Sequence, residues 1–254
     1  MISQLRRYVF RASFVQSDVT SWTSQVAAFK HALSISPTGN IDIVIACAGI
    51  AAGTMLQDSP FTTSSPSSDP QPPTVQIGII NINLIGAMYT ATLATHYWQQ
   101  SPSSDAKKND NVLILVASNV AYYAAPGYTG YAASKWGLRG FWKLLKATAE
   151  LQSVMRTNML APHIVRSPMT AGLQPLLDAK GIAMTEVKDC VECLMRFCCD
   201  CEIRGRAVEV NPKGSWFDLK DDLEDGDGSN AFSEHYEETR PVFDFMTNPS
   251  LSME

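Results

Sequence analysis

Continuous apolar runs that alternate with amphipathic helical patterns constrain the fold of this chain more than any other feature. Four such runs end in small or turn-forming residues: SFVQSDVT (13–20), IDIVIACAG (41–49), NVLILVAS (111–118) and RGRAVEVNP (204–212). Runs of this kind are typical of parallel strands that are buried on both faces. Helical patterns cover 21–34, 75–100, 131–153 and 185–199. Alternating strands and helices predict an α/β doubly wound sheet.

The length and the distribution of charge predict one domain with a tail. A chain of 254 residues is long enough to bury one large core. The segments 59–73 and 101–111 are rich in Pro, Ser and Asp and read as surface loops. From residue 218 the sequence is rich in acids, as in DLKDDLEDGDG. We therefore predict a domain over 1–217 and an acidic C-terminal extension over 218–254.

The composition argues against nucleic-acid and membrane partners. The net charge is −5, the sequence pI is about 5.4, and no run is rich in Lys or Arg. The longest uncharged run, 75–98, contains Asn81, Asn83 and His96, so we interpret it as a buried or interface helix and not as a membrane span. Since no secretory signal peptide is evident, we expect a cytoplasmic protein, in preference to a mitochondrial leader around Arg6, Arg7 and Arg11.

Five of the six cysteines crowd into DCVECLMRFCCDC (189–201). Val187, Val191 and Leu194 give this segment a helical pattern, and a cysteine on a buried helix face packs as a small apolar residue. No second CxxC or His pair follows at zinc spacing. We expect reduced core cysteines and no metal site.

Candidate chemistry lies where the predicted strands end, which is where open parallel sheets bind ligands. Ser118 ends the run 111–118, and Tyr131 follows thirteen residues later at the start of a helix. Lys135 lies one helical turn beyond Tyr131, on the same face. An ammonium close to the phenol would lower its pKa from the usual value of about 10, which suits a general acid/base.

The same residues belong to a set of five segments that occur in a fixed order along the chain: SDVTSW with Asp18, IDIVIACAGI, NINLIGAMYT with Asn83, VLILVASNVAYYAAPGYTGYAASKWGL, and MRTNMLAPHIVRSPMT with Asn158 and Pro162. The set resembles the short-chain dehydrogenases/reductases over nearly the whole chain. The resemblance implies a Rossmann-type sheet and an oxidoreductase that transfers a hydride between NAD(P)(H) and a secondary alcohol or ketone of a small organic substrate. By family frequency, a biosynthetic tailoring step is the expected setting. NADP(H) is preferred to NAD(H) as the expected cofactor.

By resemblance, four residues carry the catalysis. Tyr131 would be the general acid/base, and Lys135 would bind the nicotinamide ribose and lower the pKa of Tyr131. Ser118 would orient the substrate oxygen, and Asn83 would hold a water in a proton relay.

Other residues would hold the cofactor by the same resemblance. The segment of Asp18 and Val19 would lie near the adenine, and Val165 and Ser167 would contact the nicotinamide carboxamide. The turn after the 41–49 run adds the remaining expected cofactor residues: Cys47, Ala48 and Gly49. This sequence departs from the family motifs at three places: Ala46 and Cys47 replace two asparagines, His163 replaces a glycine, and Ser167 replaces a threonine.

The resemblance further implies a small-molecule substrate and a homo-oligomer, dimeric or tetrameric, formed through the helix around Asn83 and the helix after Tyr131. Residues 169–181 would form a lid over the substrate. Tyr122, Tyr123 and Tyr128 lie between Ser118 and Tyr131, so they either stack on a ring-bearing substrate or serve ordinary packing. We interpret His163 as a loop substitution in preference to a catalytic group.

One family motif is not evident. The family begins with a strand and a Thr-Gly-x-x-x-Gly-x-Gly turn that cradles the pyrophosphate at a helix N-terminus, and no such turn precedes Asp18. We therefore expect a sheet that is incomplete at its N-terminus and lacks the first two strands. In the strand order 3-2-1-4-5-6 these strands would lie between the strand of Asp18 and that of Ile41.

Three explanations fit a chain in which no Gly-rich turn precedes Asp18. A fragment of an active reductase is favoured, because Ser118, Tyr131, Lys135 and Asn83 are all present. A catalytically inactive relative that acts as a binding or scaffold protein is the alternative, supported by the changes at Ala46, Cys47 and His163. In the third explanation, the short N-terminal segment pairs with the sheet as a substitute for a missing strand.

Overall fold

A five-stranded sheet forms the centre of the fold. The computed structural model describes residues 12–51, 74–100, 110–123 and 128–219. The strands are β1 (Ile43–Ala46), β2 (Val112–Val116), β3 (Arg156–Pro162), β4 (Ala207–Asn211) and β5 (Ser215–Asp218). They lie side by side in chain order; β1 to β4 are parallel, and β5 runs antiparallel to β4.

Helices and turns connect the strands. The α-helices are α1 (Trp22–Ile35), α2 (Thr74–Ile80), α3 (Gly86–Gln99), α4 (Thr129–Ala147), α5 (Ala149–Gln152), α6 (Gln174–Ala179) and α7 (Val187–Cys199). A π-helix (Asn81–Ile85) joins α2 to α3. The described residues also include three 3₁₀ segments: Asn119–Ala121, Pro168–Leu173 and Pro212–Gly214.

The central strands β2 and β3 are buried on both faces because their side chains alternate between two helical layers, whereas one face of β1 is exposed. Leu113 and Leu115 of β2 pack with Trp142 of α4 in the larger core cluster. Ile114 packs in the other core cluster with Phe197 of α7. Helices on both faces of a largely parallel sheet confirm the predicted α/β class and explain why β2 reads as one unbroken apolar run.

One face of the cysteine-rich segment packs in this core. Cys193 on α7 is buried against the sheet, and Cys190 and Cys198 pack beside it. Four residues of the segment that were expected in the core or in its apolar pattern are exposed: Val187, Val191, Cys199 and Cys201. Burial raises the pKa of the Cys193 thiol to about 12 and that of Cys190 to about 11. Both thiols therefore stay protonated at neutral pH and behave as apolar side chains.

The strand predicted over 13–20 is not formed. Residues 12–18 carry no strand ladder, and Asp18 and Val19 open the turn into α1. Phe14 is 88% exposed, so the apolar residues of this run do not enter the core. A strand needs a neighbour for its backbone groups, and within the described ranges β1 pairs only with β2.

The order of the described strands agrees with the expected one. β1, β2 and β3 lie side by side in chain order, as strands 4, 5 and 6 do in the order 3-2-1-4-5-6. The antiparallel strand β5 was not predicted. It forms because the chain turns back at Lys213 and Gly214, both of which have positive φ.

The predicted boundary at residue 218 falls within β5. Asp218 is the last residue of that strand, and its carboxylate forms an ion pair with Arg206. The acidic segment from residue 220 onward lies outside the described residues, and so do the loops predicted over 59–73 and most of 101–111. The two-part division of the chain therefore stays a prediction.

The apolar helical run after residue 75 is continuous in the structure. Ile77–Gln99 is long and apolar enough to cross a membrane by length and hydropathy alone. In the fold, however, Ala91, Leu93 and Ala94 are buried in the larger core cluster. The same run carries Asn83 beneath the cavity described below.

Candidate active site

A cavity of about 690 Å³ lies beyond the carboxyl ends of β1, β2 and β3. The loops that follow these three strands form most of its wall, and α4 supplies the rest. Parallel strands end at one edge of a sheet, so residues far apart in sequence meet there. Seven of the expected site residues line the cavity: Cys47, Gly49, Ser118, Tyr131, Lys135, Val165 and Ser167.

Ser118 enters the cavity wall where β2 passes into a 3₁₀ turn. Its backbone is extended, and its Oγ accepts a hydrogen bond of 3.2 Å from the N–H of Val120. This local capping explains why a serine suits the end of the strand. The side chain is buried but remains part of the cavity wall.

Tyr131 and Lys135 lie one turn apart on α4, as predicted. Lys135 is only 5% exposed, and its Nζ lies 5.6 Å from the centre of the Tyr131 ring. The ammonium donates a hydrogen bond of 2.8 Å to the backbone carbonyl of Val116, the last residue of β2. The pair and Ser118 therefore meet at one end of the cavity.

The pKa of Tyr131 differs from the expectation. Burial raises it above the usual value, and nearby Tyr123 and Tyr128 raise it further, while a hydrogen bond with the Ser118 side chain lowers it. Burial also lowers the pKa of Lys135 to about 8. The ammonium of Lys135 donates its hydrogen bond to the Val116 carbonyl and not to the phenol. The desolvation of the phenol is the larger effect.

Asn83 lies beneath the cavity, in the π-helix, and is 1% exposed. Its Oδ1 accepts a hydrogen bond of 2.8 Å from Ile50 N, and its Nδ2 donates to Ile50 O at 2.9 Å and to Ser134 Oγ at 3.1 Å. Asn83 therefore ties the loop after β1 to α4. π-Helical turns are frequent at functional sites. The expected role in holding a water stays a prediction.

The loop after β1 passes close over these residues. A Cβ on Gly49 would lie 3.4 Å from Asn83 Oδ1 and 3.7 Å from Lys135 Nζ, so the backbone approaches both side chains. Cys47 and Ala51 of the same loop line the cavity, whereas the exposed Ala48 does not.

Asp18 and Val19 do not line this cavity. Asp18 forms a local turn in which its Oδ1 accepts from Thr20 N at 2.9 Å and Thr20 Oγ1 at 2.8 Å. These hydrogen bonds with Thr20 lower the pKa of Asp18. Gln25 binds the backbone oxygens of Val19 and Gly86 with its Nε2, which fixes this turn against α3.

The segment after β3 forms the opposite wall. Thr170 Oγ1 accepts from Ser167 N at 3.1 Å and donates to Val165 O at 2.5 Å, which folds the start of the predicted lid. Met169, Thr170, Gly172 and Leu173 of that lid line the cavity. His163 also lines it, and its buried Nδ1 has no hydrogen-bond partner among the residues that the structure describes.

Two of the three tyrosines between Ser118 and Tyr131 reach the cavity. Tyr123 and Tyr128 line it, whereas Tyr122 stacks on the Arg139 guanidinium at 4.0 Å. Asn119, which also lines the cavity, was missed in the sequence. Its position directly after Ser118 was the available signal.

The nicotinamide end of a dinucleotide fits this arrangement. Lys135 uses one of its three N–H donors on Val116 O, which leaves two for the hydroxyls of a ribose. The close approach of Gly49 to Lys135 leaves a backbone surface without a side chain at the same place.

Comparison with known proteins gives three concordant results. A family model described as short chain dehydrogenase matches residues 1–176. The 5′-hydroxyaverantin dehydrogenase of Dothistroma septosporum is 37% identical over 216 residues, which cover 82% of this chain and 70% of that protein. The 5′-hydroxyaverantin dehydrogenase of Emericella nidulans is 38% identical over 229 residues, covering 85% of this chain and 74% of that protein.

Solved structures share the fold. A gluconate 5-dehydrogenase from Burkholderia cenocepacia, in complex with NADP and tartrate, superposes with a TM-score of 0.63 at 18% identity over 84% of this chain and 78% of that chain. A 3-ketoacyl-(acyl-carrier-protein) reductase from Brucella melitensis, complexed with NADH, gives 0.62 at 22% identity over 79% and 77%.

Proposed function

The chain belongs to the short-chain dehydrogenase family, and we propose that it interconverts a secondary alcohol and its ketone on a ring-bearing small molecule with NADP(H). Membership makes the protein an NAD(P)-dependent oxidoreductase that acts on CH–OH groups of small molecules. The ring-bearing substrate, the preference for NADP(H) and the residue roles are the proposal.

One observation carries the proposal: Ser118, Tyr131 and Lys135 converge on a single cavity at the carboxyl ends of the strands. They come from different elements, since Ser118 follows β2 and the other two lie on α4. Titratable groups whose pKa values are shifted and which share one cavity are candidates for a functional site, and both Tyr131 and Lys135 are of this kind.

Tyr131 is the proposed general acid/base. Its raised pKa keeps the phenol protonated at neutral pH, so it can donate a proton to a ketone oxygen. Alcohol oxidation requires the reverse transfer, with Tyr131 accepting the alcohol proton. Ser118, which hydrogen-bonds with Tyr131, would hold the reacting oxygen in place.

Lys135, Gly49, Val165 and Ser167 would hold the nicotinamide riboside end of the cofactor. Lys135 has two N–H donors available for the ribose, and Gly49 gives close backbone approach. When bound, the nicotinamide supplies or accepts the hydride. Asn83 would support this end by holding the loop of Ile50 against α4.

Relatives support the choice of cofactor and substrate. An enzyme of Phoma sp. that is 30% identical over 228 residues is an NADP-dependent dehydrogenase by name, as is one of Cochliobolus lunatus. Two relatives are named for 5′-hydroxyaverantin, so this compound is the first substrate to test in a biosynthetic tailoring role.

A cytoplasmic location and a homo-oligomer complete the proposal. The packing of Ala91 and Ala94 in the core supports a helix that stays within the fold. Trp136 and Leu144 on α4 are large and exposed, which supports the helix after Tyr131 as the contact between copies.

A direct assay tests the function. The purified chain is mixed with 5′-hydroxyaverantin and either NADP⁺ or NAD⁺, and the appearance of reduced nucleotide is followed by absorbance. We expect turnover with NADP⁺ in the wild type and in Tyr89→Phe, a control whose tyrosine packs edge-on against Trp22. Nucleotide binding without turnover of this or any simpler secondary alcohol would contradict the substrate class. No binding of either nucleotide would favour the binding or scaffold protein.

A further inference from the structure

A group of polar side chains beside Ser118 has no part in the mechanism above. Asn119 is buried and lines the cavity directly after Ser118, and Tyr123 lines it one 3₁₀ turn later. Behind them lies Glu209 of β4, which is paired in register with Ala161 of β3. Since β3 lies between β2 and β4, the contact between Glu209 and Asn119 crosses β3.

Glu209 determines which way the Asn119 amide points. A carboxylate accepts hydrogen bonds and cannot donate them, so the amide nitrogen of Asn119 must face it. Asn119 Nδ2 indeed donates to Glu209 Oε1 at 3.4 Å. The amide oxygen is therefore turned towards the hydroxyls of Ser118 and Tyr123, which both donate to it at 3.4 Å.

The result is a cavity wall whose acceptor is held only weakly by its two donors. The hydroxyls of Ser118 and Tyr123 lie 3.4 Å from the Asn119 oxygen, beyond the usual range for an O–H···O hydrogen bond, so a substrate hydroxyl that approaches more closely can replace one of them. The Tyr123 oxygen, whose proton is directed at Asn119, also keeps its lone pairs. Burial and the charge of Glu209 raise the pKa of Tyr123, which keeps this phenol a donor to Asn119.

Aromatic and apolar side chains form the nearby wall. Tyr123 and Tyr128 line the cavity together with Met169 and Leu173 of the lid. A planar ring fits between such surfaces. A ring placed there would bring its own substituents next to Asn119 while its reacting carbon lies at Ser118 and Tyr131.

We propose that Asn119 and Tyr123 form a subsite for a second hydroxyl group on the ring-bearing substrate, and that Glu209 is the positioning residue that keeps the Asn119 oxygen turned towards that hydroxyl. The inference rests on the proposed function, because it places the second hydroxyl beside the reacting alcohol or ketone.

A matched pair of ketones tests the subsite. Meta-hydroxyacetophenone can donate a hydrogen bond from its ring substituent, whereas meta-methoxyacetophenone cannot. The equilibrium dissociation constants of both are measured calorimetrically on the full chain in the presence of NADP⁺. We expect the wild type to bind the hydroxyl compound about tenfold more tightly, the effect of one hydrogen bond to a buried acceptor.

Variants separate positioning from general damage. In Glu209→Gln the new amide can donate as well as accept, so the Asn119 amide is free to turn. The preference for the hydroxyl compound over the methoxy compound should then fall to about twofold or less. Tyr123→Phe, which keeps the ring, should weaken the preference as well. The double variant Asn119→Asp with Glu209→Gln exchanges amide and carboxylate, restores an acceptor towards the cavity and should recover the preference. Glu202→Gln, which removes an exposed carboxylate, is the control and should behave as the wild type.

The outcomes separate this inference from the proposed function. The subsite is wrong if the wild type shows no preference or does not bind the hydroxyl compound, if Glu209→Gln keeps the full preference, or if the double variant does not recover it. If Glu209→Gln does not fold, Tyr123→Phe is used in its place. The subsite is then wrong if this variant keeps the full ratio between the dissociation constants of the methoxy and the hydroxyl compound. Turnover of the ketones with NADPH is recorded on the same samples: its absence counts against the proposed function, while the ratio of dissociation constants still decides the subsite.

Discussion

The ammonium of Lys135 donates a hydrogen bond of 2.8 Å to the backbone carbonyl of Val116. Val116 ends β2, and Ser118 follows two residues later, so this bond fixes α4 directly to the strand that carries the serine. The lysine thereby has a structural role besides the one proposed for it at a ribose. Burial disfavours the charged form of this lysine and lowers its pKa to about 8.

The buried lysine predicts a pH dependence of stability. Its pKa is about 8 in the folded chain and 10.5 in the reference state, so between these values the unfolded chain binds more protons. The free energy of unfolding of the wild type should therefore gain about 3 kcal/mol from this group as pH rises across that interval. Lys135→Met should lack this gain. Urea unfolding at a series of pH values gives the difference between the two proteins, and parallel curves would contradict the assignment.

Asn83 predicts a difference between two asparagines of the same π-helix. Asn83→Ala removes both hydrogen bonds to Ile50 and the one to Ser134, so we expect a loss of about 1–3 kcal/mol in the free energy of unfolding. Asn81→Ala, at an exposed position of the same segment, should change it by less than about 0.5 kcal/mol. Chemical denaturation of both variants is the measurement. Equal effects would show that the hydrogen bonds of Asn83 with Ile50 and Ser134 contribute nothing specific to the free energy of unfolding.

Gly86 predicts a close contact between α3 and the turn of Val19. A Cβ at position 86 would lie 2.9 Å from Val19 Cγ2 and 3.1 Å from Val19 O, and this oxygen is held by Gln25. Gly86→Ala should therefore destabilise the chain by about 1–3 kcal/mol.

Gly140 provides the matched control for that substitution. A Cβ there meets nothing within 4 Å, and the residue lies inside α4. Gly140→Ala should stabilise the chain by about 0.5–1 kcal/mol through helix propensity. Thermal unfolding compares the two variants, and a neutral Gly86→Ala would mean that the Val19 turn does not pack on α3.

The sequence predicted those parts of the fold that rest on burial. β2 and β4 fall inside the predicted runs 111–118 and 204–212. β2 gives the clearest signal, because side chains buried on both faces leave a continuous apolar pattern. The run 13–20 has a similar composition but no strand beside it among the described residues, and composition does not record whether a partner is present. β5 depends on the positive φ of Lys213, which no hydrophobic pattern signals.

Those parts of the site that consist of chemically distinctive side chains could be predicted from the sequence. Ser118, Tyr131 and Lys135 were found together because a strand end and one helical turn bring them to one place. The partner of Lys135 is a backbone carbonyl, which has no residue type and leaves no trace in the sequence. The raised pKa of Tyr131 was not predicted either, because its largest cause is burial of the phenol, which the residue types do not record.

The central claim is that Tyr131 transfers the proton in a nicotinamide-dependent reaction. The most direct measurement compares kcat for alcohol oxidation and the dissociation constant for NADPH in the wild type and in Tyr131→Phe. The variant should lose a factor of about 100 to 10,000 in kcat while its affinity for NADPH stays within about twofold, because the phenol acts on the proton and not in binding. A Tyr131→Phe protein that retains near-normal kcat would contradict the mechanism.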